Sequence, residues 1–353
     1  MNKDDAIYVA GHRGLVGSAI ERLLRERGYR NILTRTQAEL DLTRQEQVER
    51  FFEAHRPAYV FLAAARVGGI GANASFPAQF IYDNLAIALN VIHSAWRHGA
   101  RRLLNLGSSC IYPRMAAQPL KEEYLLTGPL EPTNEAYAVA KIAAIKLCRH
   151  YNHQYGTSFF SLMPTNLYGP NDNFDFDSSH VLPALIRKLH IARLLSQGDF
   201  RGIRADLSHR RGPPAPAEES DEETARKLEA YGILPGRVTL WGTGTPLREF
   251  LHVDDLAEAC LLLMDKPELS AVGDFLNVGM GKDISIAELA RMIRGIVGFG
   301  GEIVFDPSKP DGTPRKLLDI TRTLELGWRP RIALKEGIAR TYRWYTSDAG
   351  EAR

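Results

Sequence analysis

Apolar residues along this chain fall in short runs, and the stretches between the runs carry helical spacing. Ile7 to Ala10 is the first run; Gly11-His-Arg-Gly14-Leu-Val-Gly17 follows, and Ser18 to Arg27 then places Ile20, Leu23 and Leu24 on one helical face. This reads as strand, glycine turn, helix. Further runs at Asn31 to Thr34, Tyr59 to Ala63, Leu103 to Leu106 and Phe159 to Met163 alternate with helical segments, Phe80 to Trp96 among them. Such alternation predicts an α/β fold, a Rossmann-type doubly wound parallel sheet with right-handed crossovers, helices on both faces and ligands at the strand carboxyl ends.

Past Tyr168-Gly-Pro170 the pattern changes. Asn171-Asp-Asn-Phe-Asp-Phe-Asp177 is polar loop, and Val181 to Leu195 is again helical. A smaller α/β substrate-binding lobe is expected here, so the sheet domain takes residues 1–170 with about 247–278, and the lobe takes about 171–246 and 279–345. Ser208 to Thr224, with Pro213, Pro214, Pro216 and the acids Glu218, Glu219, Asp221, Glu222 and Glu223, has the composition of an exposed insertion. Ser220-Asp-Glu-Glu223 can box the start of a helix running to Tyr231, with Gly232 as its stop. A solvated loop with one surface helix is the plainer reading of this region; a lid or oligomer contact is the sharper one.

Composition narrows the classes of function. At 353 residues and 44% hydrophobic the chain can bury a sizeable core, and 44 basic against 42 acidic residues leave a net charge of +2, with no overall footprint for nucleic acid. Cys110, Cys148 and Cys260 are odd in number and widely spaced, which argues for a reducing compartment and against a disulfide framework or a metal site. Met1 to Asp5 run directly into the first strand without a signal-peptide core, and no apolar run reaches membrane-spanning length. A soluble cytoplasmic protein with no membrane partner is expected.

Tyr137-Ala-Val-Ala-Lys141 sets a phenol and an ammonium about one helical turn apart, on the same face if the segment is helical. The cation is expected to lower the Tyr137 pKa toward the working range of a general acid for carbonyl reduction. The same spacing occurs on ordinary solvated helices, so its neighbours decide. In the glycine turn at 11–17 the missing Cβ atoms let backbone N–H groups approach a pyrophosphate at a helix amino end, although a tight turn with close helix packing would look alike. After the second strand, where an NAD site wants an acid, stand Arg35-Thr36-Gln37. With Arg13, two guanidinium groups could meet a 2'-phosphate, favouring NADP; either could also be a solvated charge.

Asn105 to Pro113 ends the fourth strand, where Ser108 could hydrogen-bond a substrate carbonyl or serve only a turn. Cys148 and Cys260 read as small buried apolar groups. Cys110, two residues past Ser108, could be a proton-transfer thiol with His180 as partner. By its own position after Asp177-Ser-Ser179, His180 reads as a surface or capping residue.

Gly11 to Gly17, Ala63-Ala-Ala-Arg-Val-Gly-Gly69, Leu106 to Pro113, Glu131 to Tyr137, Met163 to Pro170, Arg248-Glu-Phe-Leu-His-Val-Asp-Asp255 and Lys309 to Lys316, taken in order, resemble the extended short-chain dehydrogenase/reductases that act on nucleotide sugars. The likeness is strongest to those that convert GDP-4-keto-6-deoxy-D-mannose. It implies epimerisation of this GDP-sugar at C3 and C5, then reduction at C4 by NADPH, in one site. Cys110 and His180 match the family's base and acid, and Ser108, Tyr137 and Lys141 its reduction triad, with Lys141 also on the nicotinamide ribose. NADP-binding positions fall at Gly11, His12, Arg13, Gly14, Leu15, Val16, Gly17, Arg35, Asp41, Leu106, Gly107, Lys141, Pro164, Thr165, Asn166, Leu167 and His180. Lys188, Trp241, Arg248 and Asp311 fall at substrate-binding positions. A homodimer built from two helices of the sheet domain is also implied. Two departures stand out: Gln37 replaces an arginine toward the 2'-phosphate, which shifts weight to Arg13, and residues 194–237 are expanded relative to shorter members.

Other functions fit less well. Nucleotide-sugar 4,6-dehydratases share Tyr-x-x-x-Lys but need an acidic pair where this chain reads Ser109-Cys-Ile111. A 4-epimerase with tightly held NAD would not need Cys110 with His180. A non-catalytic nucleotide sensor would tend to lose Tyr137 or Lys141.

Overall fold

The computed structural model describes residues 1–209, 219–266 and 273–347. Pro213, Pro214, Pro216 and Glu218, which sequence assigns to an insertion, lie outside the described residues. The chain forms two compact units, one of Met1–Leu167, Glu249–Gly281 and Leu317–Arg331, the other of Tyr168–Arg248, Lys282–Lys316 and Ile332–Arg353.

In the first unit a six-stranded sheet runs in the order Phe275–Val278, Phe159–Pro164, Arg102–Leu106, Tyr59–Leu62, Ile7–Ala10, Ile32–Leu33, with every pair parallel. Strands covered on both faces read as continuous apolar runs, which is why Ile7-Tyr-Val-Ala10 and Tyr59-Val-Phe-Leu62 show no polar alternation. Ile7 and Val9 pack with Ile20 and Leu24 of helix Leu15–Glu26 and with Leu256 and Met264 of helix Val253–Met264. Tyr8 and Ala10 turn the other way, onto Phe52 of helix Gln45–His55, Val91 of helix Pro77–Arg97 and Ala144 of helix Glu135–Tyr155. From Ile7–Ala10 the chain passes to one neighbour and then returns to the other side, so the switch point lies at the carboxyl end of this first strand.

Leu317–Arg331 belongs to this unit, whereas sequence placed all of 279–345 in the lobe. The cause is long-range pairing: Leu120 N–H donates to Leu317 O at 2.7 Å, Asp319 N–H donates to Leu120 O at 2.8 Å, and Leu318 is buried beside Leu120 and Ile320. No local pattern announces such a return.

The second unit carries a three-stranded sheet in which Arg237–Trp241 pairs parallel with Glu302–Asp306 and antiparallel with Ile233–Leu234. Helix Val181–Ser196 buries Leu182, Leu185, Ile186 and Leu189 and packs on helix Ile286–Val297. The capping box read from Ser220 and Glu223 is present, with N–H to side-chain bonds of 3.0 and 3.2 Å opening helix Asp221–Glu229. Gly232, at φ +73°, follows it.

Candidate active site

At the end of strand Arg102–Leu106 the backbone turns through Gly107, and Ser108 caps the short helical turn Ser109–Ile111, its Oγ accepting the Cys110 N–H at 3.4 Å. Cys110 is buried in that turn. Tyr137 and Lys141 stand in the first two turns of helix Glu135–Tyr155, and Lys141 Nζ donates to the Leu106 carbonyl at 2.8 Å while lying 5.6 Å from the Tyr137 ring centre. The structure therefore gathers Ser108, Cys110, Tyr137 and Lys141 at one strand end.

Their electrostatics correct one expectation. Burial, and second the Cys110 charge, pushes the Tyr137 phenol well above its ordinary value instead of lowering it. The ammonium is held on the Leu106 carbonyl and does not outweigh desolvation of a phenolate. Tyr137 is consequently a neutral phenol, the form that can donate a proton. Burial pulls Lys141 down to about 8, with Cys110 opposing.

The glycine turn is shaped for close backbone approach. Gly11 has φ +84°, and a Cβ added to Gly17 would sit 2.1 Å from the Gly11 carbonyl oxygen, so a side chain there would wreck the turn. Helix Leu15–Glu26 begins inside this turn with Gly14 as its N-cap, leaving amino-end N–H groups for an anion, and His12 Nδ1 is buried without a hydrogen-bond partner. These features fit a dinucleotide pyrophosphate. Leu15 and Val16 pack against the core beneath the turn. Arg13 and Arg35 both act on the Glu39 carboxyl, which is held below its ordinary value first by the Thr36 N–H. Arg35 is itself engaged, donating to Thr34 O at 2.7 Å and lying 3.1 Å from His55 Nε2. Asp41 Oδ1 accepts from the Thr43 N–H and hydroxyl. At the fifth strand end, Pro164 closes the strand, Thr165 and Asn166 donate to Glu249 O at 3.2 and 2.9 Å, and Leu167 packs on the core.

In the second unit His180 holds the N-cap position of helix Val181–Ser196 in extended backbone but makes no side-chain cap bond, so capping does not explain it. Desolvation by surrounding protein, then the positive Lys316, lowers its pKa. Lys188, two turns further on, is lowered by desolvation with Asp177 opposing. Arg248 and Lys316 face each other in the parallel pair Leu247–His252 and Arg315–Lys316. Asp311 is turned onto Thr243, accepting its N–H at 2.9 Å and its hydroxyl at 2.7 Å, and its charge also acts on Arg248. Trp241 is 69% exposed, with Lys309 Nζ 5.7 Å from its ring centre, so an aromatic face beside a cation is open to a ligand.

Residues 7–211 and 196–279 match the family described as NAD dependent epimerase/dehydratase. The chain belongs to that family. Among members of the NAD dependent epimerase/dehydratase family, it is 51% identical to a putative GDP-L-fucose synthase 2 of Arabidopsis thaliana, over 98% of this chain and 93% of that protein. To the GDP-L-fucose synthase of Escherichia coli K12 it is 46% identical, over 98% of both. The solved structure of a GDP-D-glycero-L-gluco-heptose synthase from Campylobacter jejuni, in the presence of NADPH, superposes with a TM-score of 0.86 at 42% identity over 98% of each chain.

Sequence reasoning within this family missed Lys316, Lys309 and Thr243. Lys309 and Lys316 bound one of the segments that carry the resemblance, which was the available signal for both. Thr243 had none, because its contact with Asp311 spans 68 residues.

Proposed function

We propose that this chain converts GDP-4-keto-6-deoxy-D-mannose to GDP-L-fucose by epimerisation at C3 and C5 followed by reduction at C4. It is an NADP-dependent GDP-sugar epimerase/reductase. The observation that carries the reading is the gathering of Ser108, Cys110, Tyr137 and Lys141 at the carboxyl end of strand Arg102–Leu106, in a chain 46–51% identical to GDP-L-fucose synthases over nearly its whole length.

The C4 keto group acidifies the hydrogens on C3 and C5, so a thiolate at Cys110 can remove one, leaving an enolate whose oxygen is met by the Ser108 and Tyr137 hydroxyls. Inversion needs the returning proton to come from an acid other than that thiol, the role we assign to His180, and before the second inversion the Cys110 thiol gives up its proton to water and the His180 imidazole takes one from water. After both inversions Tyr137 donates its proton to the C4 oxygen, and the positive Lys141 stabilises the charge that develops there. NADPH, when bound, supplies the hydride to C4. Gly11 to Gly17 would hold its pyrophosphate, and Arg13 with Arg35 would hold the 2'-phosphate. Lys188 and Arg248 offer cations to the GDP diphosphate, and Trp241 an aromatic face. A cytoplasmic homodimer completes the proposal, supported by three free buried cysteines and by Leu85, Leu89 and Leu147, which line an apolar groove on helices Pro77–Arg97 and Glu135–Tyr155.

Purified protein given this keto sugar and NADPH should consume one NADPH per GDP-L-fucose formed, with the product identified by NMR. A product reduced at C4 but still D-manno at C3 and C5 would leave a reductase only. That second reading, a 4-reductase or epimerase on a related GDP-sugar, is favoured by the 42% identity to a GDP-heptose synthase.

A further inference from the structure

Arg187 is the largest fully buried side chain of the described residues, yet it sits beside Lys188 on the helix that His180 begins. Its Nε donates to Asp206 Oδ1 at 2.8 Å, its second terminal nitrogen to Asp206 O at 3.4 Å, and its first to Phe174 O at 3.1 Å; its guanidinium lies 4.2 Å from the Phe176 ring centre. Asp206, on helix Phe200–His209, also accepts from the Tyr345 hydroxyl. A buried guanidinium survives only when paired and hydrogen-bonded, and here the counter-charge comes from the expanded segment 194–237. The same segment supplies Tyr231, which stacks on Phe176 at 4.6 Å with rings 28° apart. Tyr231 is pushed up by burial and then by Asp177, the acid whose charge also acts on Lys188.

We infer that residues 194–209 and 219–237 form a fixed buttress and not a lid: through Asp206 on Arg187 and Tyr231 on Phe176 they pin residues 174–180 and thereby position His180 and Lys188. Asp206 and Tyr231 are positioning residues, acting through Arg187, Phe176 and Asp177. This rests on the proposed roles of His180 and Lys188, but the pin itself can be tested without them.

Stability and positioning separate in two variants of the full chain. Asp206→Ala takes the Asp206 carboxylate away from the buried Arg187 guanidinium and should lower the melting temperature by roughly 10 °C. The double variant R187L/D206L removes both charges and should regain most of that loss, since apolar replacement of a buried ion pair is commonly tolerated. It should still expose the backbone amides of 174–180 to hydrogen exchange at least about tenfold faster than wild type, because the bond to Phe174 O is gone. With substrate present, it should also lose about tenfold in deuterium incorporation at C3 and C5, with NADPH affinity unchanged. Tyr231→Phe, which keeps the ring, should retain slow amide exchange where Tyr231→Ala does not. Wild-type amide exchange at 174–180 in the double variant would overturn the inference whatever the substrate. Fast amide exchange with wild-type deuterium incorporation would overturn the positioning half. Failure of the wild-type chain to incorporate deuterium would instead count against the proposed reaction.

Discussion

Lys141 shows most clearly how the site is bought with stability. A lysine whose pKa falls from 10.5 to about 8 on folding binds its proton more weakly in the native chain than in the unfolded one. The cost, about 3 kcal/mol at 1.36 kcal/mol per unit, is fully present below about pH 8 and is relieved as pH rises toward 10.5. Lys141→Met should therefore abolish reduction yet raise the melting temperature at pH 7 by about 2–5 °C, after roughly 1 kcal/mol is lost with the bond to Leu106 O. Calorimetric scans from pH 7 to 9.5 should show the gap narrowing with pH; a destabilised variant, or a gap independent of pH, would contradict this. Tyr137 and Lys141 were legible in sequence as a pair, but the direction of the tyrosine shift was not. Spacing reports which groups share a helix face, whereas the balance between desolvation and a nearby cation depends on what covers that face.

Elements were the most legible scale in the sheet unit. Helix Pro77–Arg97 extends the expected Phe80 to Trp96 by one turn, and strand Tyr59–Leu62 stops one residue short of expectation, because apolar periodicity marks existence better than ends. The capping box at Ser220 was legible because its residues are three apart. The return of Leu317–Arg331 was not, since its partners Leu120 and Glu249 lie 69 to about 200 residues away, as with Leu318 N–H on Glu249 Oε2 at 3.0 Å. Helices Pro77–Arg97 and Glu135–Tyr155 also leave Tyr82 68% and Leu89 50% exposed, more apolar surface than a solvated helix pair needs. Light scattering should give twice the 39.4 kDa chain mass, and Leu89→Glu should return it to one. A monomeric wild-type chain would remove the dimer from the account.

At the scale of the whole molecule, one chain gathers Ser108, Cys110, Tyr137 and Lys141 at the carboxyl end of a central strand in its first unit, and brings the charge of Lys316 onto His180 and pairs Lys316 with Arg248 in its second. Many relatives of this fold reduce a carbonyl; what would set this chain apart is proton exchange on the carbons beside it, and that claim rests on Cys110 and His180. Those two were legible only through the family motif, since a lone buried cysteine and an N-terminal helix histidine have ordinary explanations. The most direct measurement is an NMR spectrum of the product formed from GDP-4-keto-6-deoxy-D-mannose and NADPH in heavy water, by wild type and by Cys110→Ser. Wild type should give GDP-L-fucose carrying deuterium at C3 and C5, and Cys110→Ser should lose that exchange by about 100-fold or more while still binding NADPH. Reduction without deuterium at either carbon in wild type, or unimpaired exchange in Cys110→Ser, would contradict the account.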